Sequence, residues 1–515
     1  MDNMNEDSKL ESAARRKRSL CRFLSCVLFL SLLTFVFCKV TYLYRGGKKE
    51  QIQLKGIETE NCDMVYVGGS AAMLYWQPLK AWNDHGFTSY CYTTNSIAAE
   101  NVLPYIKEVL RSQDPELLLI DARPFQYWTD ELITVAIRHG TDAMSMWSPN
   151  RYEIIANTFR YRNIPEDADK LSYIFDIIQY HSVDELLSIQ TGWEYAFEDV
   201  HCPYGGWRWE DKYIPLQHES SDTDKRHPMA ESSEILLRET LEYCSKLDQK
   251  VLLVVCPYNE SADHRSVYNT IGDIAAEYGI DFLNTNTLYD EMDIDFQNDF
   301  YDNNHVNVFG SEKYTQFLQE YLLEHYDLPD HRGDSEYASW DEEYILFSEE
   351  SEKAKIAVGA RIQAAELSAE RAAQMRRETD LQKWFALENS GEYLLLAAKA
   401  GASEAPESFA DRNILNQWKL AGEVEAQISV LTAGTPNYTT KADGGVEYSG
   451  ETPNTYPVEF SVTAGPEGTS IQVDDETFSA GEGELHVLAF DLRNRQIADR
   501  ILITTENGNL VMKRP

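Results

Sequence analysis

Four short, mostly apolar runs constrain this chain more than any other feature: residues 64–67 (MVYV), 117–120 (LLLI), 251–255 (VLLVV) and 281–283 (DFL). They do not alternate between apolar and polar, so each reads as a strand buried on both faces. Between them lie stretches with helical spacing: AAMLYWQPLKAW after Ser70, then residues 98–111, 231–247 and 272–278. Strands alternating with helices predict an α/β fold, a parallel sheet covered on both faces by helices. In such sheets the chemistry gathers at the carboxyl ends of the strands. Ser70 and Arg123 both fall there.

The chain has 515 residues, more than one compact domain usually holds. Its formal charge is −39, with 46 Lys and Arg against 85 Asp and Glu. A surface that acidic repels phosphate backbones, so nucleic acid is excluded as a partner. The first 50 residues run the other way, at net +5, and enclose an uncharged stretch at 23–38, FLSCVLFLSLLTFVFC. Sixteen residues fall short of the roughly 20 that cross a bilayer, but Lys39 can snorkel and residues 40–44 extend the run to an aromatic edge. Arg15, Arg16, Lys17, Arg18 and Arg22 precede it and are expected to stay in the cytoplasm. No small-x-small cleavage site follows, so an uncleaved signal anchor is expected, with a cleaved signal as the alternative. This divides the start of the chain into a basic tail (1–22), a transmembrane anchor (23–44) and a stalk (45–61). The rest is expected outside the plasma membrane.

Eight cysteines are present, none after Cys256. The five that follow the anchor, Cys62, Cys91, Cys202, Cys244 and Cys256, have no regular spacing, so no disulfide framework is expected. No CxxC or His/Cys cluster offers metal-ligand spacing, and neither metal nor cofactor is expected. Export without a disulfide framework suits the outer face of a bacterium.

The first run ends in Gly68-Gly69-Ser70, a tight turn between a strand and a helix. A serine there exposes its hydroxyl above the sheet, with the amides of Ser70 and Ala71 near enough to receive a developing oxyanion. Far downstream, FYDNNHVNVFGSEKY carries Asp302 and His305 on one polar turn before a helix at 311–325. A carboxylate three residues before an imidazole can fix its tautomer, leaving the far nitrogen to take a proton from a serine. The bland alternatives are a plain turn and a helix cap.

In these two blocks the sequence resembles the SGNH (GDSL-like) hydrolase superfamily: Gly68-Gly69-Ser70 stands for its first block, Asp302 and His305 for its last. The resemblance covers about residues 62–327 and implies a flavodoxin-like parallel sheet. By it Ser70 is nucleophile, His305 general base and Asp302 the carboxylate that orients it. The family's Gly-x-Asn-Asp block is missing; IDARPF follows the second strand instead. Asn95, in Thr94-Asn95-Ser96, is the candidate side-chain oxyanion donor. The departure is similar to the membrane-anchored branch that includes the D-alanine transfer protein of teichoic acid synthesis and alginate acetylation proteins. That likeness implies an extracytoplasmic serine esterase or O-acyltransferase acting on acyl esters of a cell-envelope polysaccharide or teichoic-acid-like polymer. It also implies a polytopic membrane O-acyltransferase as partner. The competing expectation is a catalytically inactive scaffold, or a glycan-binding envelope protein.

Within the 62–330 domain, residues 124–230 exceed what the fold needs. They carry Trp128, Trp147, Trp193, Trp207 and Trp209. These read as the core of an inserted helical subdomain; the alternative is a wall that stacks on sugar rings, with Trp207 and Trp209 as the candidates. Arg123 reads as one half of a structural ion pair, or as the holder of an anionic substrate group. Residues 331–387 are charged and rich in helix formers, predicting a long helical linker without a strict heptad. Residues 388–515 turn to β-type runs at 393–398, 426–431, 458–462, 470–473, 485–491 and 499–504. This β-rich accessory domain resembles the interleukin-like EMT inducer domain, which implies a small sandwich-like module able to hold carbohydrate. His486 stands alone on a strand and is expected to be packed.

Overall fold

The structure is a computed structural model that describes residues 2–45, 54–57, 62–179, 201–401, 405–421, 425–453 and 457–515. Trp193 and most of the stalk lie outside the described residues. Contacts divide the chain into two compact units. The first holds residues 1–210, 217–299 and 303–354; the second holds 211–216, 300–302 and 355–515. The division falls inside the long helix Ala338–Met375, which the linker composition anticipates.

The chain opens with a helix over Asp2–Arg45. Within it, Arg15–Phe37 is long and apolar enough to cross a membrane or to serve as a signal sequence, and none of its most apolar window is buried.

The core of the first unit is a five-stranded, all-parallel sheet of β1 (Met64–Gly68), β2 (Ser89–Thr93), β3 (Leu117–Asp121), β4 (Lys250–Val255) and β5 (Asp281–Asn284). The order is β2-β1-β3-β4-β5, the doubly wound pattern of flavodoxin-like sheets. Every residue of β1, β2 and β3 is buried, as continuous apolar runs require when helices cover both faces. The strand order reverses between β1 and β3, and a crevice opens beyond their carboxyl ends. Gly68 is needed there: a Cβ on it would come 2.7 Å from the Cβ of Asp121 at the end of β3.

The stretch after Ser70 is two helices, Ser70–Tyr75 and Pro78–His85, where helical spacing alone suggests one. Pro78 starts the second helix, and the Gln77 amide donates to Thr315 Oγ1 at 3.0 Å instead of continuing the first. Further helices span Ala99–Val109, Glu231–Cys244 and Ala262–Glu277, the last capped by the Ser261 side chain. The insertion is helical, with Arg123–Gln126, Thr134–Ala143, Pro149–Tyr161, Leu171–Ile174 and Asp176–Gln179. Two short strands, β6 (Phe300–Asp302) and β7 (His305–Val306), precede the helix Val308–His325. Among the described residues Cys62, Cys91, Cys202, Cys244 and Cys256 are buried.

The second unit is antiparallel β. Its six-stranded sheet runs β10-β9-β8-β15-β16-β17, and a four-stranded sheet runs β11-β12-β13-β14. The strands are β8 (Tyr393–Ala400), β9 (Ala426–Thr432), β10 (Thr435–Ala442), β11 (Val446–Glu451), β12 (Glu459–Gly465), β13 (Gly468–Val473), β14 (Glu476–Ala480), β15 (Leu485–Asp491), β16 (Gln496–Glu506) and β17 (Asn509–Lys513). Leu396, Ile428, Val462, Ile471 and Leu488 fill the space between the sheets. The other face of the larger sheet packs on Trp384 and Trp418, from and beside the helices Leu381–Asn389 and Phe409–Gln417. His486 is fully buried and accepts from Arg500 Nε at 2.9 Å. It is a packed residue, its pKa pushed down to about 4 by burial and by the Arg500 charge.

Candidate active site

Ser70 is the first residue of its helix, directly after β1 and the turn residue Gly69. The first N–H groups of a helix have no partner within it, so the Ser70 and Ala71 amides are available beside the hydroxyl. Ser70 Oγ lies 2.8 Å from His305 Nε2, a hydrogen bond between residues 235 apart in the chain. The fold therefore joins the two blocks that the sequence singled out.

His305 is fixed through its neighbours. Tyr75, at the end of the Ser70 helix, donates its hydroxyl to the Asn304 carbonyl at 2.9 Å and accepts from the Val306 amide at 3.2 Å. The Tyr75 ring meets Tyr314 edge-on, with centroids 5.5 Å apart. The Tyr75 carbonyl in turn accepts from Ser311 Oγ at 3.0 Å and Thr315 Oγ1 at 2.9 Å. The helix that begins at Ser70 and the helix that follows His305 are thus stitched at one residue. Asp302 is buried at the end of β6, three residues before His305 in the chain.

The serine and histidine open into a cavity of about 480 Å³, within the range of small-molecule sites. Its wall includes Ser96, Asp121, Arg123, Tyr258, His264 and Asn304. Ser96 is held at a φ of +57°, a left-handed conformation that side chains usually avoid. Asp121 is buried at the end of β3; it accepts from the Arg123 amide at 2.9 Å and from the Gly69 amide at 3.4 Å. Burial raises its pKa, against the opposing pull of Arg123, those two amides and His305. His264 is half-buried beside Tyr258, with Nδ1 3.0 Å from the phenol oxygen. Burial and the Arg123 charge lower its pKa.

Arg123 is half-buried in the cavity wall. Its NH1 donates to the Asn304 carbonyl at 3.0 Å, and its guanidinium carbon sits 4.6 Å from the centre of the Tyr258 ring. Among the described residues no carboxylate forms a salt bridge with it, while the nearby Asp121 carboxylate acts on its charge.

The other sequence candidates lie elsewhere. Asn95 is outside the cavity lining, and its carbonyl accepts a bond from His139 Nδ1 at 2.9 Å; the neighbouring Ser96 lines the wall instead. Trp207 is buried and stacks on Trp209 with centroids 5.0 Å apart; its indole N–H donates to Ser311 Oγ at 3.2 Å. Neither tryptophan lines the cavity: Trp207 packs on Phe347, and the half-buried Trp209 packs on Trp207 and Tyr204. Among the described residues no group of three or more His, Cys, Asp or Glu converges as a metal site. Sequence reasoning missed Tyr75, Asp121, Tyr258 and His264; the strand end at Asp121 and the pair Cys256-Pro257 after β4 were the available signals. No family model matches the chain, and no curated protein matches it.

Proposed function

We propose that the chain is a membrane-anchored serine esterase or O-acyltransferase. Its substrates are acyl esters of a cell-envelope polysaccharide or teichoic-acid-like polymer outside the bacterial plasma membrane. The observation that carries this reading is the 2.8 Å bond between Ser70 Oγ and His305 Nε2 at the switch point of a parallel sheet, facing a cavity. His305 Nε2 takes the proton as Ser70 Oγ attacks the ester carbonyl, and Asp302 orients the imidazole. The Ser70 and Ala71 amides hold the oxyanion. His305 then protonates the leaving alcohol, and an acyl-serine remains. Water resolves it in an esterase; a sugar or polyol hydroxyl resolves it in a transferase.

Arg123 supports a substrate with an anionic group, since it lines the cavity and forms no salt bridge among the described residues. The basic cluster before the apolar helix supports an anchor with its N-terminus in the cytoplasm. By resemblance, the β-rich unit holds glycan, and a polytopic membrane O-acyltransferase supplies the acyl group.

The test is turnover of p-nitrophenyl acetate by the full chain in detergent, with peptide mass analysis after acid quench. Acetylation of the Ser70 peptide in the parent, absent from Ser70→Ala, is the expected result. Equal turnover by parent and Ser70→Ala overturns the reading.

A further inference from the structure

The chain carries 85 Asp and Glu against 46 Lys and Arg, so a place where cations gather runs against its composition. The second unit has one. A pocket of about 350 Å³ is lined there by Lys212, Arg361, Arg493 and Arg495, with Glu392 as the one carboxylate among the described lining residues. Arg361 pairs with Asp211 at 2.9 Å, and Arg493 pairs with Glu392 at 2.7 Å. With both pairs counted, four cations stand against two carboxylates, a local surplus of two.

Two of these cations sit on the loop 492–495 between β15 and β16. The fully buried Asp491 carboxylate fixes that loop: Oδ1 accepts from the Arg493 amide at 2.9 Å and the Asn494 amide at 3.2 Å, and Oδ2 accepts from Asn494 Nδ2 at 2.8 Å. Arg495 is held at a φ of +51°, in the left-handed region that favours glycine, so a long cationic side chain stands where glycine would cost less. Strain of that kind persists where the surroundings impose it, and it gathers at functional sites. On another wall, the segment 211–216 bonds to β6, with the Ile214 amide donating to the Phe300 carbonyl at 3.1 Å. Lys212 Nζ there lies 5.9 Å from the centre of the buried Tyr301 ring. Tyr213 and Tyr301 add aromatic surface to the lining. The phenol rings suit a sugar or polyol, and the cations suit an oxyanion.

We propose that this pocket holds one anionic unit of a polysaccharide or polyol chain, bound through a phosphodiester or a carboxylate. Its volume lies near the lower end for small-molecule sites, so it takes a single unit of chain and no folded partner. It shares no lining residue with the cavity at Ser70. The proposal rests on the proposed function for the identity of the polymer, and not on catalysis.

The full chain in detergent is titrated by microscale thermophoresis with polygalacturonate, with poly(glycerol phosphate) and with dextran. The expected result is binding of at least one anionic polymer and none of dextran, unchanged in Ser70→Ala and weakened by added salt. The two anionic arms tell a carboxylate ligand from a phosphodiester. Binding should be roughly 10-fold weaker in Arg495→Gln. It should be tighter in Glu392→Gln, which removes the lining carboxylate, and a misfolded variant does not gain affinity. Poly-glutamate that binds as tightly as the anionic polymers overturns the assignment in favour of an acidic peptide. Binding of neither anionic polymer overturns the proposal, as does an affinity that Arg495→Gln and Glu392→Gln both leave unchanged. The readout is binding alone, so the esterase reading stands or falls separately.

Discussion

Tyr75→Phe isolates the element that holds His305 against Ser70. The substitution keeps the ring and its edge-on contact with Tyr314 but removes one oxygen. That oxygen donates to the Asn304 carbonyl at 2.9 Å and accepts from the Val306 amide at 3.2 Å, on either side of His305. Asn304 keeps its bond from Arg123, while Val306 loses the acceptor and is buried. Leaving a buried donor unmatched costs about 1–3 kcal/mol. Part of that loss appears as stability and part as a displaced turn. A misplacement of about 1 Å costs on the order of 100-fold in rate. The expected outcome is a 10- to 100-fold fall (order of magnitude) in ester turnover. A destabilisation of about 1–3 kcal/mol by urea denaturation should accompany it. A stability loss with turnover unchanged would refute the clamp as a positioning device. No change in either would refute the bonds themselves.

Three further outcomes follow from the same geometry. Gly68→Ala forces a Cβ to 2.7 Å from the Asp121 Cβ, and overpacking of this kind costs about 1–3 kcal/mol; chemical denaturation should show that loss together with weaker turnover. Arg162→Ala removes the partner of Glu100 from a buried ion pair at 2.6 Å, where breaking one side costs about 3–5 kcal/mol; a lowered melting temperature and proteolysis within the insertion check it. Glu388 is buried in the second unit, and burial pushes its carboxyl up from an ordinary 4.5 to about 7. Folding favours its protonated form, so the second unit loses stability as pH rises from about 4.5 through 7. Glu388→Gln should recover up to roughly 3 kcal/mol at pH 8 and almost nothing at pH 4, read by urea midpoints.

What the sequence made legible follows from how each element is buried. The strands β1, β3 and β4 are buried on both faces and need continuous apolar runs, so they stand out from composition alone. The equally buried β2 reads SYCYT and escaped notice, because its polar atoms find partners inside: Ser89 Oγ accepts from the Trp76 indole at 3.0 Å. In the second unit β10 and β11 alternate between exposed and half-buried positions and contain Pro436, Gly450 and charged residues, so they lack an apolar signature. The Ser70–His305 pair was legible because its two blocks sit at a strand end and before a helix. Its supports were not: Tyr75 is an ordinary aromatic in a helical pattern, and only the break before Pro78 turns its carbonyl to Ser311 and Thr315 while its hydroxyl meets Asn304 and Val306. Likewise, the spacing of Trp207 and Trp209 gave no sign that Trp207 would reach Ser311 inside the core and not the cavity.

The central claim is an activated serine, and labelling by a fluorophosphonate probe tests it most directly. The full chain in detergent is treated beside Ser70→Ala and His305→Ala, and the modified peptide is identified by mass. The account predicts one adduct, on Ser70, absent from the first variant and strongly slowed in the second. A folded parent that stays unlabelled, or labelling that survives Ser70→Ala, would contradict it.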